Sequence, residues 1–195
     1  MRREFCDETV GHGIQEKAKG NAMENGYLIS DAHQPAFEAV KANGTIEPLF
    51  LEDLQVGQRF TSGIYVMNES GIKRFAAEFD PQPFHLDESA AQASVFGGLA
   101  ASGWHTAAAA MRLLVTGGLP FANGLVGLGG EIAWPRPTRP GDRLQLESEI
   151  VSVSPSRSKP RQGIVTVRSS MYNQNHEPVY VFTAKILAFR RPVAD

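Results

Sequence analysis

Polar and apolar residues alternate with a period of two through much of the second half of the chain. In "DRLQLESEI", Leu144, Leu146 and Ile150 fall on one face, while Gln145, Glu147 and Glu149 fall on the other. That pattern predicts a strand with one dry and one wet face. Further strand-like segments read "GLVGLGGEIAWPR", "DRLQLESEIVSVSPS", "GIVTVRSSMYNQ" and "PVYVFTAKILAFRR", separated by the turn-forming runs "PTRPGD", "PSRSKPRQG" and "NQNHEP". An earlier stretch, "QRFTSGIYVM", alternates well enough to add one strand. Elsewhere the period lengthens. "NESGIKRFAAEF" offers an Asn or Ser cap and then Ile72, Phe75, Ala76 and Phe79 at helical spacing. A short helix is predicted near "DESAAQAS", and the most apolar helix in "WHTAAAAMRLLVTGG", where glycines end it. A helix apolar nearly all round is expected to be buried. Strands on short connections, following one buried helix, predict an α+β domain whose antiparallel sheet wraps that helix.

Before residue 46 the pattern fades. Residues 1–45 are rich in Gly, Asn, Lys and Glu, with one weak helical candidate over 31–41. They read as a partly ordered or flexible N-terminal extension, and Met1 and Met23 both stand as candidate starts. The domain itself, 46–195, begins as hydrophobic density rises near "PLFLEDLQVGQRF".

Composition narrows the function classes. A length of 195 residues fits one domain with an appended segment, and 42% hydrophobic with 21% charged residues fits a globular chain. Net charge is -2 without an extended basic tract, so neither nucleic acid nor an anionic membrane is an expected partner. No apolar run approaches the roughly 18 residues that span a bilayer. The N-terminal "MRREFCDE" lacks the apolar centre of a secretory signal. A lone Cys6 forms no internal disulfide, which points to a reducing cytoplasm. His12, His33 and His176 show no metal-binding spacing, so no metal is expected.

The chemistry concentrates in "FAAEFDPQPFHLDESAAQASVFGGLAASGWHT". Pro81 and Pro83 stiffen the link between Asp80 and His85, so that both polar ends can face one cavity. Carboxylate and imidazole make a workable general base and acid, with burial expected to raise the Asp pKa toward the working range. The same residues also read as an ordinary Asp-Pro turn with His85 near a helix cap. Gly103 opens the apolar helix, where an N–H suited to an oxyanion is presented; capping by Ser102 and tight glycine packing explain the stretch equally. Trp104 reads as packing or ligand stacking, and His105 as a core histidine or a pocket residue. Arg136, Arg139 and Arg143 flank the "PTRPGD" turn as solvated charge or as phosphate contacts. "GLVGLGG" lacks the strand-turn-helix setting of a nucleotide loop, and its glycines are expected to let a strand bend closely over the helix. Ser102 lacks the elbow of a serine hydrolase, and Cys6 has no partner for nucleophilic work.

Taken together, Asp-x-x-Pro-x-His, the Phe-Gly-Gly run and the small-residue-Gly step into an apolar helix resemble the MaoC-like dehydratases, which include (R)-specific enoyl-CoA hydratases. "WPRPTRPGDRLQLESEIVSV" and "GIVTVRSSMYNQNHEPVY" look like that family's Pro-Gly-Asp turn and closing hairpin, so the resemblance spans about residues 48 to 190. It implies a hotdog fold, a homodimer or dimer of dimers, and fatty acid metabolism on acyl-CoA. By the same resemblance, Asp80 and His85 activate water for addition across the 2,3 double bond of an enoyl-CoA thioester. The Gly103 amide, beside Ser102, polarises the thioester carbonyl. No cofactor is implied beyond the CoA of the substrate. Two positions depart from the family: Gln82 stands where Asn is usual, and Ser102 where His is frequent. Both bear on substrate identity. An acyl-CoA thioesterase and a non-catalytic acyl-thioester-binding protein are the alternatives on the same fold.

Overall fold

The computed structural model describes residues 47–192. The predicted extension, its candidate helix, Cys6, His12 and His33 lie outside the described residues. After a single helical turn at Leu51–Asp53, the elements are β1 (Arg59–Val66), α1 (Glu69–Phe79), α2 (Pro83–Leu86), α3 (Glu88–Gln92), α4 (Gly103–Leu113), β2 (Val126–Ala133), β3 (Arg143–Pro155), β4 (Gln162–Tyr172) and β5 (Pro178–Phe189). The five strands form one sheet in the order β1-β3-β4-β5-β2, and every pair in it is antiparallel. This is the α+β arrangement that the strand alternation and the apolar helix predicted, and the hotdog fold that the family resemblance implied.

Alternation fixes the register. Along β3, Leu144, Leu146, Ser148 and Ile150 turn inward, and the last three stand opposite inward residues of β4: Leu146 faces Met171, Ser148 faces Ser169, and Ile150 faces Val167. A slip by one residue would turn all of these side chains to water, so the pairing is strongly specified. The two buried serines satisfy each other across the strands at 2.9 Å. Onto this face pack Ile72 of α1 and Ala109, Ala110 and Leu113 of α4. Asn68 caps α1 by accepting from the Gly71 N–H, and Ser102 caps α4 by accepting from the Trp104 N–H. A wide turn at Leu114–Gly118, in which Gly117 takes φ 130°, ends α4 where the sequence has two glycines.

Two features differ from expectation. The first is that α4 is not buried all round: Trp104 and Met111 on its outer side are 61% and 47% exposed, and Val115 in the turn that follows is 61% exposed. Small alanines along the inner face let the helix sit close to the sheet, which covers that side only. The second concerns the glycines of β2. A Cβ on Gly130 would lie 2.8 Å from Ala184 Cα, so the close approach is to the neighbouring strand β5 and not to the helix. It occurs beside the irregularity in pairing between Gly127 and Gly130.

The two faces of β3 differ testably. Leu146→Ala is expected to cost about 2–5 kcal/mol through the cavity it leaves, whereas Glu147→Ala should stay within about 0.5 kcal/mol. Urea denaturation midpoints measure both; equal losses would contradict the assigned faces.

Candidate active site

The Asp80 backbone closes α1 by donating to the Ala76 carbonyl at 3.0 Å, with φ -151° and ψ 68° taking the chain out of helical geometry. Pro81 follows, and Pro83 starts α2 at a first-turn position that has no need of an N–H. The two prolines thereby hold the loop that the spacing predicted. Asp80 Oδ2 lies 3.4 Å from His85 Nε2, with His85 buried and the Asp80 side chain 18% exposed. The other imidazole nitrogen, Nδ1, donates to the Ala100 carbonyl at 2.7 Å. Because a carbonyl can only accept, this contact fixes a proton on Nδ1, so that Nε2 is the nitrogen that faces Asp80 and exchanges its proton there. Phe84 meets the imidazole edge-on at 4.6 Å and fixes its plane.

Asp80 is held from several sides. The Gln82 amide donates to Oδ1 at 2.7 Å, and the Ser102 hydroxyl hydrogen-bonds the same carboxylate. Burial works against the charge, but the Ser102 and Gln82 hydrogen bonds and the nearby His85 outweigh it and hold the carboxyl below its ordinary value. The expected upward shift is therefore reversed: donors reach the carboxylate, and it stays ionised at neutral pH.

Asp80, Gln82, His85, Gly103 and Trp104 line one cavity of about 640 Å³. Gly103 is the first residue of α4, where no preceding helical carbonyl exists to accept from its N–H. Ser102 is fully buried behind it and turns its hydroxyl to Asp80. The absence of a Cβ at Gly103 serves another purpose as well. A Cβ there would lie 3.0 Å from the Trp134 indole, whose Nε1 donates to the Gly103 carbonyl at 2.9 Å. Trp104 stands edge-on to Trp134 at 5.5 Å on the cavity rim. The arrangement offers two groups able to hold a water and a helix-terminal amide able to meet a developing negative oxygen.

The MaoC-like domain model matches residues 53–173, which include the whole of this cavity's Asp-x-x-Pro-x-His loop and the start of α4. The chain belongs to the MaoC-like dehydratase family. The MaoC-like dehydratase from Rhodospirillum rubrum is 59% identical, with a TM-score of 0.74, covering 74% of this chain and 99% of that one. The R-hydratase PhaJ1 from Pseudomonas aeruginosa is 25% identical, with a TM-score of 0.59, covering 76% of this chain and 93% of its own. The uncharacterized protein YdeM of Bacillus subtilis is 32% identical over 141 residues, which are 72% of this chain and 99% of that protein.

Three residues that matter to the MaoC-like site went unread in the sequence: Trp134, Thr138 and Arg139 in its structural role. Thr138 accepts from the Ala101 N–H at 2.9 Å and from the Thr106 hydroxyl at 3.1 Å. Of the three arginines weighed as phosphate contacts, Arg139 has its guanidinium on the carbonyls of Phe96, Gly98 and Leu99. Arg136 approaches Glu177 at 3.5 Å, and the Arg143 backbone N–H donates to Gln174. The only signal for these contacts was the Trp-Pro and Pro-Gly-Asp composition of the turn.

His105 does not line the cavity. It is buried against α1, stacked on Phe75 at 4.8 Å, and its Nδ1 has no hydrogen-bond partner. Burial, assisted by the Arg74 charge, pushes its pKa from 6.5 down to about 4. The unfolded chain therefore binds the extra proton first as pH falls, and native stability should drop between pH 6.5 and about 4. The slope is at most about 1.4 kcal/mol per unit. His105→Phe should flatten the stability profile in that window, as measured by urea unfolding at several pH values. An unchanged slope would show that His105 is protonated in the fold. The Asp80 shift acts in a separate window below pH 3.8.

Proposed function

We propose that this protein is a hydro-lyase that adds water to, or removes it from, the 2,3 double bond of an enoyl-CoA thioester, without a metal or redox cofactor. The observation that carries the reading is the convergence of Asp80 Oδ2 and His85 Nε2 at 3.4 Å in the cavity that Gly103 also lines. A water placed between the two acceptors would have its lone pairs free for Cβ. As its oxygen bonds to Cβ, one proton passes to His85 Nε2, because the hydrogen bonds on Asp80 favour its ionised form over a protonated one. The imidazolium is stabilised by the Asp80 carboxylate on one side and the Ala100 carbonyl on the other. Electron density displaced from the double bond reaches the thioester oxygen, where the Gly103 N–H meets it; such a donor is worth about 3 kcal/mol of barrier. The imidazolium then returns its proton to Cα, so that H and OH have both been added. This assigns proton transfer to His85 and water orientation to Asp80, a different division of labour from the general base and acid that a carboxylate and an imidazole suggested in the sequence.

The chemistry needs only protein groups and water, so chelators should leave turnover unchanged. Asp80→Asn and His85→Ala should each lower kcat for crotonyl-CoA hydration by about 10²–10⁴-fold while circular dichroism keeps the fold signature. Loss of the enoyl absorbance reads hydration, and free thiol reads thioester cleavage. Thiol release by wild-type protein would support a thioesterase in place of the hydratase. Binding of crotonyl-CoA with turnover of neither kind would support a non-catalytic binder.

We also infer that two copies associate through β2, as a soluble cytoplasmic homodimer or dimer of dimers. The sheet ends at β2, where Val126 and Leu128 are 44% and 51% exposed, and a bare edge is an open template for pairing. Light scattering should give at least twice the 21.2 kDa chain mass. Leu128→Lys should shift it toward the monomer, and a monomeric wild-type protein would overturn the reading.

A further inference from the structure

The acid/base pair sits on one segment, but its geometry is set by another. His85 Nδ1 bonds to the carbonyl of Ala100, the last residue but two before α4. Residues 96–100 form no helix or strand of their own and include Gly97 and Gly98 at φ 58° and 152°. Three carbonyls of this loop, those of Phe96, Gly98 and Leu99, all point at one side chain. Arg139 Nη1 donates to Gly98 O at 2.7 Å and to Leu99 O at 3.1 Å, and Nη2 donates to Phe96 O. The arginine is in turn held by its own turn: its backbone N–H donates to Asp142 Oδ2 at 2.7 Å, and Asp142 is 5% exposed and accepts at Oδ1 from Gln174. The planar fork of a guanidinium can serve three carbonyls at once, which an ammonium cannot do in the same geometry.

We propose that Arg139 is a positioning residue that holds the 96–100 loop so that the Ala100 carbonyl fixes the tautomer and orientation of His85. The proposal rests on the hydratase reading for its effect on turnover, but not for its effect on the imidazole. Without the guanidinium, three loop carbonyls lose their donor, Ala100 is no longer held at 2.7 Å, and Nε2 ceases to be the fixed lone-pair site. Occupied in this way, the Arg139 fork is also not the group that would receive a phosphate.

The test compares full-length wild type, Arg139→Ala and Arg139→Lys, with Arg136→Ala as a neighbouring control, by ¹⁵N-detected NMR of the His85 ring and by crotonyl-CoA kinetics. His85→Ala identifies the signal. At a pH where the ring carries one proton, wild type should show a single tautomer protonated at Nδ1. Both Arg139 variants should show a tautomer mixture or exchange broadening, with kcat lowered at least tenfold and KM changed less than threefold; Arg136→Ala should leave the ring signals unaltered. A His85 signal unchanged from wild type in either folded Arg139 variant would overturn the proposal, whatever the kinetics. If Arg139→Ala fails to fold, Arg139→Lys decides in the same way. A wild-type protein that hydrates no enoyl thioester, yet shows the Arg139-dependent tautomer, would sink the hydratase reading and leave the positioning role standing.

Discussion

One hydrogen bond, from His85 Nδ1 to the Ala100 carbonyl, ties the chemistry of this site to its architecture. It joins the loop that follows α1 to the segment that leads into α4, fifteen positions apart in sequence. On the first side lie Asp80 and the prolines that aim it; on the second lie Ser102 and Gly103. A shift of either segment would separate the basic nitrogen from the helix-terminal amide, since neither is fixed to the other by covalent geometry. The sheet supplies the rigid floor that makes such a link dependable, because the inward faces of β3 and β4 hold α1 and α4 by apolar packing.

Much of this was legible from local pattern. Strand alternation in β3 and β4 needs only one chain segment to be seen, and so do the Asn68 cap, the helical spacing of Ile72 and Ala76, and the glycine stop of α4. The loop from Asp80 to His85 was equally readable, because two prolines restrict its backbone whatever lies around it. What escaped was whatever depends on a distant partner. Arg139 reaches carbonyls 40 to 43 positions earlier, and Trp134 packs on Gly103 from 31 positions later. An arginine beside Pro and Gly carries no local mark that distinguishes a solvated charge from a guanidinium serving three carbonyls. The exposed side of α4 was misread for a related reason. Apolar composition says that a helix face avoids water, but not whether its own sheet or some other surface covers it.

The electrostatics follow the same division between local and distant causes. Burial alone would have raised the Asp80 pKa, and the sequence offered no way to count the donors that reach the carboxylate. Two neutral donors, Gln82 and Ser102, change the sign of the shift. His105 on α4 shows the opposite balance: it is buried without a partner for Nδ1, so desolvation dominates and the ring stays neutral. One group is thus kept charged and the other uncharged by whether hydrogen-bond donors or apolar rings surround them.

This contrast bears on the two departures from the family pattern. Gln82 reaches Asp80 Oδ1 through a longer side chain than Asn, which leaves Oδ2 as the oxygen facing His85. Ser102 is small enough to be buried completely between the α4 cap and the carboxylate, and it brings a donor there without a second titratable ring. With a neutral hydroxyl and a neutral amide as its partners, Asp80 has no competing base among its direct hydrogen-bond donors. The single mobile proton in the pair then belongs to His85, and its fate depends on which imidazole nitrogen faces the cavity. That choice is made by a backbone carbonyl, a group that no substitution of its own residue can remove, so the loop that carries the carbonyl becomes the element on which the proton chemistry turns.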